Sequence, residues 1–382
     1  MGSKEGIPPP PPDWPQQADE DYERIRVLGA GAFGQVLLAK RRPQNSHSAE
    51  KYVAIKGVSI LTEHEGATAE REIAILSELS HPNIIKLLDA YEPASNTAKG
   101  RYIVMSYING PDLGELLEAR GALGLPLAQL IARHLISAVA YLHARGVIHR
   151  DIKPDNIMLE GCKEGKKWIS DDLMWNSSKT SSKAVEQGRF KAVLCDFGFA
   201  RAILFKQHER NQSRVNLRMS AVGTKFFAAP ELVENVCNKD EPDEALTQCV
   251  SNYGLIGDAY SVGATLSEII TGVPPGKDPV AYVESNRKTT QKSSSRFSKL
   301  CHILSGGYKG PYDIQLRTHE ELPKPVTNLI SSLMEPDPSS RLSVREAQDH
   351  EWIGGYDALE HGDVDARRGG ECVPLQNIAA FK

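Results

Sequence analysis

The residues best suited to chemistry lie in one polar segment, HRDIKPDN, at positions 149–156. Asp151 and Asn156 follow an amphipathic stretch typical of a helix, so both are predicted to lie in the loop after it. A carboxylate can orient an attacking hydroxyl, and an amide oxygen can help to hold Mg²⁺ against phosphates. Lys153, between them, can offset the charge of a migrating phosphoryl group. The segment therefore indicates phosphoryl transfer.

Three further residues extend this chemistry to the binding of a phosphorylated substrate. Asp196 follows the apolar run AVLC and supplies a second candidate ligand for the metal. Lys56 ends the strand-like run VAIK, and its ammonium can reach phosphate oxygens. Because a desolvated lysine needs a carboxylate to orient it, we expect an ion pair with Glu72, sixteen residues later on a helix-like stretch.

The segment GAGAFG at 29–34 has a glycine spacing that lets backbone N–H groups approach phosphate, as in dinucleotide-binding folds and in kinases. The six residues alone do not decide between the two. The Walker pattern, GxxxxGK followed by Ser or Thr, does not match here, and no strand about 20 residues later ends in the acidic residue that a dinucleotide fold uses for ribose. The flanking runs RIRVL and QVLLAK are both strand-like, which predicts a hairpin loop over the phosphates.

The elements that must position these residues change in character along the chain. Short alternating apolar runs up to about residue 107 predict antiparallel strands with one main helix, and longer amphipathic stretches after it predict a mainly helical part. The expected divisions are a disordered proline-rich tail at 1–20, a β-rich part at 21–107, a helical part at 108–353 and a C-terminal tail at 354–382. Polar, loop-like inserts are expected in the helical part at 160–190, 232–257 and 284–300.

Composition and charge exclude several classes of protein. A formal charge of −4 and an isoelectric point near 6.3 argue against a nucleic-acid partner, which favours a strong basic excess. The six cysteines form no CxxC pair, which is typical of a reduced intracellular protein. No stretch approaches the roughly 18 uninterrupted apolar residues of a membrane span. We expect a cytoplasmic monomer without membrane contact, and nuclear entry stays open.

In order, the segments GAGAFGQV, VAIK, HRDIKPDN, DFG and AAPE, with Glu72 between the second and third, resemble the signature set of eukaryotic protein kinases over about residues 22–353. The resemblance implies an α+β, two-lobed protein-kinase fold with a small antiparallel β-rich N-lobe, one main helix in it, and a larger, mainly helical C-lobe. It implies ATP and Mg²⁺ as cofactors. In such a site Asp151, Lys153, Lys56 and Glu72 serve catalysis, and Asn156 and Asp196 hold the metal.

The resemblance also assigns the contacts with the nucleotide. Val36 and Ala54 would cover the adenine ring from one side and Met158 from the other, while Met105 would limit the depth of the pocket. Backbone groups of Ser106 and Ile108 would face the adenine edge, and Asp112 would meet the ribose. The glycine-rich loop would contribute Gly29, Ala30, Gly31, Ala32, Phe33 and Gly34.

Further structural roles come from the resemblance alone. Glu231 of AAPE would pair with Arg341, and Asp258 would anchor the catalytic loop from a central helix. His149 would be a packing and hydrogen-bonding residue and not a catalytic one. With it, the residues of the stacked spine that links the lobes would be Leu76, Leu87 and Phe197.

Substrate class and regulation follow from the same likeness. Lys153 with Thr224 resembles the serine/threonine branch, and the C-terminal segments VTNLISSLMEPDPSSRLS and DHEW resemble the calcium/calmodulin-dependent kinase group, although the tail lacks a calmodulin-binding amphipathic helix. An upstream kinase acting on Ser220, whose phosphate Arg150 would bind, is the expected activator. Acidic residues that resemble those of kinases selecting basic substrates are Asp112, Asp155 and Glu268.

Two other classes of protein compete with a protein kinase. A pseudokinase or scaffold would keep the fold and act through its proline-rich tail and inserts, but it would not need Lys56, Asp151 and Asp196 together. A small-molecule kinase of related fold would lack the long segment that ends in AAPE. The expected partners are therefore proteins with serine or threonine acceptors.

Overall fold

The computed structural model describes residues 14–31, 34–42, 51–60, 62–93, 100–161, 190–202, 226–233, 243–276 and 322–354. Of the predicted site residues, Ala32, Phe33, Ser220 and Thr224 lie outside this description, as does the insert at 284–300. The described residues form two compact units. The first contains those up to Asn109 together with Phe197–Ala200, and the second contains Gly110–Asp196 and the described residues from Arg201 onward. The chain leaves the first unit close to the boundary expected after residue 107.

The first unit is an antiparallel sheet with a short helix before it and a longer helix inserted into it. Helix α1 (Gln16–Asp21) leads into β1 (Tyr22–Gly31), β2 (Gly34–Arg41) and β3 (Tyr52–Ser59). Helix α2 (Glu63–Ser77) follows, and then come β4 (Leu87–Tyr91) and β5 (Gly100–Ser106). The strands lie in the order β1, β2, β3, β5, β4 and every pairing is antiparallel. Helix α2 begins with a capping box between Thr62 and Glu65, which satisfies backbone donors of its first turn.

Alternation along the strands gives this sheet two different faces. On one face Val53 and Ile55 of β3 are fully buried beside Leu37 and Ala39 of β2. The intervening residues of β3 point to the other face, which is only half-buried. Lys56 lies on that half-buried face, so the strand places its side chain away from the core.

The predicted tail at 1–20 is wrong for its described part. Residues 16–21 form α1, and Trp14, Ala18 and Tyr22 are buried in the core of the first unit. Ala18 lies in α1, while Trp14 stands just before the helix and Tyr22 directly after it, so the three are spaced four residues apart. The prolines dominated the composition of this region and concealed an apolar stripe of only three residues.

The second unit is mainly helical. Its first helices are α3 (Leu113–Arg120) and α4 (Leu125–Ala144), followed by β6 (Val147–Ile148), a 3₁₀ turn (Pro154–Asn156), β7 (Ile157–Glu160), β8 (Lys191–Leu194) and β9 (Arg201–Ala202). The remaining helices are α5 (Pro230–Val233), α6 (Asp243–Thr271), α7 (Lys324–Leu333), α8 (Val344–Ala347) and α9 (Glu351–Gly354). Strand β6 pairs with β9 and β7 pairs with β8, both antiparallel. These two short ladders bracket the segment that carries Asp151.

Helix α4 forms the core of this unit. Among the described residues it is the one helix long and apolar enough to cross a membrane by length and composition. Ten of its residues are buried within the unit, including Ile131, Leu135 and Val139, which recur at helical spacing. That burial is the pattern of a core helix.

Helix α6 corrects the prediction for the second polar insert. Residues 232–257 were expected to form a loop, but the helix begins at Asp243 and runs without interruption to Thr271. Its C-terminal half is buried, with Asp258, Val262 and Leu266 inside the unit. Adding turns to an existing helix costs far less than nucleating one, so a polar segment can extend a helix that the core already fixes.

Candidate active site

The first unit supplies a lysine held by a carboxylate. Lys56 Nζ lies 2.8 Å from Oε1 and 3.1 Å from Oε2 of Glu72, so the predicted ion pair is present. Strand β3 holds the lysine opposite Val36 and Ile103, while α2 holds Glu72, which is only 4% exposed. The lysine side chain is 14% exposed. A long cation is thereby fixed in one orientation with its far end at the open face of the sheet.

That open face also carries most of the predicted nucleotide contacts of this unit. Ala54 pairs with Met105 across β3 and β5, and Val36 pairs with Lys56, so all four share one face. Ser106, at the end of β5, is tied to the start of β4 because its N–H donates to the Lys86 carbonyl over 2.9 Å. The sheet therefore offers apolar side chains beside a fixed cation.

The glycine-rich hairpin is described at its two ends. Gly29 and Gly34 belong to β1 and β2, and the register pairs Gly31 with Gly34. Gly34 has a φ of 127°, and a Cβ there would lie 1.9 Å from the Gly57 carbonyl oxygen. Only glycine can therefore occupy position 34. The prediction of a hairpin is confirmed, while the roles of Ala32 and Phe33 stay predictions.

The second unit brings Asp151, Lys153 and Asn156 together. Asn156 Nδ2 donates to the Asp151 carbonyl oxygen over 2.7 Å and to Asp151 Oδ2 over 2.8 Å, and Lys153 Nζ lies 3.0 Å from the same Oδ2. Asp151 is 6% exposed, so these contacts replace most of its hydration. Within the described residues no hydrogen bond reaches Oδ1 of Asp151. That oxygen is the one suited to accept a proton from a substrate hydroxyl.

Asn156 and Asp196 leave the β7–β8 hairpin at the same end. The Cys195 N–H donates to the Asn156 carbonyl over 2.8 Å, and Ile157 pairs with Leu194. Asp196 has a φ of 58°, a left-handed conformation that is uncommon outside glycine and is found at functional sites. In the described part of the chain, no group of three or more His, Cys, Asp or Glu side chains is arranged to hold a metal ion by itself. The side-chain oxygens of Asn156 and Asp196 fit Mg²⁺, which uses one or two protein oxygens together with phosphates and water.

His149 is engaged on both ring nitrogens. Nε2–H donates to the Cys195 carbonyl over 3.1 Å, and Nδ1 accepts the Asp151 N–H over 3.4 Å. The side chain is fully buried. With one nitrogen donating and the other accepting, the ring acts as a spacer between the two catalytic segments, which agrees with the predicted structural role.

Asp258, in α6, anchors the catalytic loop through hydrogen bonds. Oδ1 accepts the Arg150 N–H over 2.9 Å, and Oδ2 accepts the His149 N–H over 2.8 Å and His143 Nε2–H over 3.0 Å. Burial alone would raise the pKa of the Asp258 carboxyl, but the hydrogen bond and charge of His143, with those of His149, hold the pKa below its ordinary value. Arg150 itself has a φ of 71°. The two backbone N–H bonds to Asp258 thus fix a loop conformation that Arg150 would otherwise avoid.

The role of His143 was missed in the sequence. The residue lies in the last turn of α4, in the run YLHARG, and nothing in a helical pattern separates it from a surface histidine. In the sequence, the one signal of its role was its position shortly before the catalytic loop. Six residues before His149, it faces the same carboxylate.

Asp112 lies close to a second carboxylate. It caps α3, its Oδ1 accepting the Glu115 N–H over 2.7 Å, and it bridges to Met158. A Cβ at Gly114 would lie 3.2 Å from Asp112 Oδ1 and 3.3 Å from Asp155 Cγ. Burial, and the charges of Glu115 and Asp155, raise the pKa of Asp112 to about 7. Glu268, the third predicted acidic residue, lies in α6 and is 6% exposed.

The predicted pair between Glu231 and Arg341 is present and bidentate. Arg341 Nη1 and Nη2 donate to the two carboxylate oxygens over 2.7 and 2.9 Å. Further donations go to carbonyls of Ile256, Glu335 and Pro336, and the guanidinium lies 5.1 Å from the centre of the Tyr260 ring. Every donor of this buried cation is used, so Arg341 ties the AAPE segment to the Ile256 carbonyl of α6.

The remaining predicted residues differ in how much of their surface is buried. Ile108 is buried, as are Leu76 and Phe197 of the predicted spine, while Leu87 is half-buried. The stacking of that spine stays a prediction. Cys195, next to Asp196, is half-buried, and its thiol donates to the Val193 carbonyl.

An ordered lysine–carboxylate pair on an antiparallel sheet and a helical unit with an Asp–Lys–Asn catalytic loop define a protein kinase. Residues 22–353 match the protein kinase domain family. The chain belongs to that family, and the predicted two-lobed fold class is confirmed.

Similar proteins agree with this assignment. The chain is 27% identical over 335 residues to the serine/threonine-protein kinase RAD53 of Saccharomyces cerevisiae, covering 87% of this chain and 33% of that protein. It is 30% identical over 337 residues to serine/threonine-protein kinase 36 of Pongo abelii, covering 88% and 20%. The chain thus spans between a fifth and a third of the length of these relatives.

One solved structure supports the fold alone. A structure described as that of the Rad53 kinase domain and SCD2 superposes with a TM-score of 0.53 at 21% identity, covering 89% of this chain and 93% of that chain. At this identity the likeness concerns the path of the backbone and not the choice of substrate.

Replacing Asp258 should loosen the catalytic loop. In Asp258→Asn the amide can accept fewer of the three donors, and one buried N–H loses its partner, so we expect a loss of about 2–4 kcal/mol in the free energy of unfolding. Urea denaturation measures it. The exposed Asp349→Asn is the control and should change stability by less than about 0.5 kcal/mol. Equal stability of the two variants would contradict the anchoring role.

Asp112 should give folding a distinct pH dependence. Its pKa rises on folding from 3.8 to about 7, so the folded chain holds the proton more tightly and this residue's contribution to stability falls as pH rises from 4 to 7. The slope is at most about 1.4 kcal/mol per pH unit. Asp112→Asn keeps an N-cap and should lack this loss, which denaturation at several pH values measures. Parallel curves for the two proteins would contradict the expectation.

Proposed function

We propose that the chain is a Mg-ATP-dependent protein kinase that transfers the γ-phosphate to serine or threonine hydroxyls of proteins. One observation carries the proposal: Lys153 and Asn156 both contact Oδ2 of Asp151 in a chain of the protein kinase domain family. Two of the relatives are serine/threonine-protein kinases by name. The activity of the whole chain is inferred from this site.

One group of residues in the proposed site binds ATP. Lys56, oriented by Glu72, binds phosphate oxygens of ATP, and the half-buried sheet face of Val36, Ala54 and Met105 receives the adenine. Ser106 and Ile108 present backbone groups to the adenine edge. Asp112 binds the ribose or, alternatively, a cationic substrate, and Met158 lies beside it across the bridge to β7.

The catalytic loop handles the acceptor. Oδ1 of Asp151 orients the substrate hydroxyl and accepts its proton as the oxygen attacks phosphorus. Lys153, held 3.0 Å from Asp151 Oδ2, neutralises charge on the transferred group. Asn156 and Asp196 would hold Mg²⁺, which shields the phosphate charge when bound. Both hydrogens of the Asn156 amide donate to Asp151, so the amide oxygen of Asn156 remains available to the metal.

A scaffold without catalysis is the second candidate, and the proline-rich segment before Trp14 favours it. Against it stands the geometry of the catalytic loop. A pseudokinase has no need of a buried Asp151 with ordered lysine and asparagine partners. Phosphate transfer by the purified chain separates the two functions.

The finer points of the proposal rest on the sequence. We place the chain near the calcium/calmodulin-dependent kinase group, and we propose activation by phosphorylation of Ser220 with Arg150 as a phosphate ligand. Arg150 has its backbone fixed by Asp258, which supports a role as a positioned cation. A cytoplasmic location is part of the same proposal.

Transfer of radiolabelled phosphate from ATP to a serine peptide tests the proposed function. We expect transfer that requires Mg²⁺, and a fall in kcat of about a hundredfold or more in Asp151→Asn, since a general base contributes that much. Asp196→Ala should lose the response to Mg²⁺. The exposed Asp349→Asn should match the wild type. If the wild type transferred no more phosphate than Asp196→Ala, the scaffold would be the better description.

A pair of peptides tests the proposed preference for basic sequences. Asp112 and Asp155 lie close enough to share one arginine, so a peptide with Arg three residues before the acceptor should exceed its Ala counterpart in kcat/KM by about tenfold. Asp155→Asn should remove most of this ratio. Because the pKa of Asp112 is about 7, the ratio should grow as pH rises from 6 to 8. A ratio near one in the wild type would refute the preference.

A further inference from the structure

Residues 14–21, here called the N-terminal clasp, pack on the buried face of the sheet in the first unit. The Trp14 ring meets the Tyr102 ring edge-on, with centroids 5.1 Å apart and planes at 74°. The Arg24 guanidinium lies 5.4 Å from the Trp14 ring centre on the same cluster, and Ala18 is fully buried. Trp14 is itself 9% exposed, so its ring is held between β1 and β5.

The clasp is fastened at its other end by hydrogen bonds. The Tyr91 hydroxyl donates to Asp21 Oδ2 over 2.6 Å, and the Arg42 N–H donates to the Asp21 carbonyl over 2.9 Å. Arg42 Nε donates to the Asp19 carbonyl over 3.0 Å, and Asp19 also lies 3.4 Å from Arg24. Polar contacts at one end and a buried ring at the other hold the clasp to three strands.

Tyr102 transmits this contact to strand β3. It pairs with Gly57 across β3 and β5, and a Cβ at Gly57 would lie 3.2 Å from the Tyr102 ring. The ring therefore occupies the space that a side chain at position 57 would need. Gly57 directly follows Lys56, so the ring supports the backbone that carries the lysine.

Gly57 in turn supports the glycine-rich hairpin. Its carbonyl oxygen would be 1.9 Å from a Cβ at Gly34, which is the tightest approach of any glycine on the strand pair β2–β3. Trp14, Tyr102, Gly57 and Gly34 therefore lie next to one another in succession. Such packed interiors transmit displacement because they have no free volume to absorb it.

We infer that Trp14 is a positioning residue for ATP. The clasp presses Tyr102 against Gly57 and so sets the place of Lys56 and of the base of the glycine-rich hairpin. The inference rests on the proposed function for the identity of the ligand. Displacing the Lys56 ammonium from the phosphate oxygens weakens their attraction because it falls with distance, whereas the catalytic loop belongs to the second unit and keeps its own anchors.

Three variants of the full chain test the inference. Trp14→Ala removes the ring, Trp14→Phe keeps an aromatic edge, and Trp352→Ala is the matched control. Trp352 is 8% exposed, close to the 9% of Trp14, and lies in the second unit near the end of the described chain. Both alanine variants should lower Tm by similar amounts, so loss of stability alone does not separate them.

The distinguishing readout is the split between KM and kcat. In Trp14→Ala we expect KM for ATP to rise about three- to tenfold, with kcat and the KM for peptide nearly unchanged. Trp14→Phe should restore most of the ATP affinity, and Trp352→Ala should leave KM for ATP at the wild-type value. If Trp14→Ala does not fold, Trp14→Leu, which keeps apolar burial but no ring, takes its place. An unchanged KM for ATP in the folded variant would overturn the inference.

Titration of each protein with ATP keeps this inference separate from the proposed function. A wild type that binds ATP but transfers no phosphate would refute the kinase activity, while the Kd of Trp14→Ala for ATP would still test the clasp. A wild type that transfers phosphate, together with a Trp14→Ala variant of equal Kd and KM, would refute the clasp alone.

Discussion

The catalytic half of the molecule depends on one buried carboxylate. Asp258 gathers two backbone N–H groups and an imidazole around a single charge, and the next residues of the loop take their direction from those bonds. A charge so deeply buried is costly unless donors surround it, and here each donor comes from the segments that must be aligned. The Asp258 carboxylate can therefore be buried only when the loop is ordered, so the two changes occur together as the chain folds. The left-handed backbone conformation of Arg150 is stabilised by the hydrogen bond from its N–H to Asp258.

The two units use different means to reach similar precision. In the second unit, hydrogen bonds along the chain connect His149, Asp151, Asn156 and Cys195 in succession. In the first unit, the register of three strands places Lys56 and the apolar residues on one face, and a single ion pair completes the arrangement. A loop needs many specific bonds because it has no repeating pattern of its own, whereas a strand inherits its geometry from its neighbours.

The sequence predicted those features that local pattern determines. Alternation located the strands of the first unit, and helical spacing located α2 and α4. The need of a buried lysine for a carboxylate predicted the pair Lys56–Glu72, and the family resemblance predicted the pair Glu231–Arg341. It failed where tertiary contacts outweigh composition: the clasp is a three-residue stripe among prolines, and α6 extends into a polar segment because its buried half already exists. His143 was invisible for the same reason, since its importance lies in a carboxylate 115 positions away.

The amide of Asn156 gives the loop an asymmetry of charge. Its two donations to Asp151 require N–H groups, which a carboxylate at this position would lack. An aspartate there would also set two negative groups in contact beside a triphosphate that is itself strongly anionic. The choice of a neutral residue keeps the net charge of the loop low enough for nucleotide and acceptor to approach together. Deamidation of Asn156 would therefore replace its hydrogen bonds to Asp151 with repulsion between two carboxylates, which would push the two residues apart.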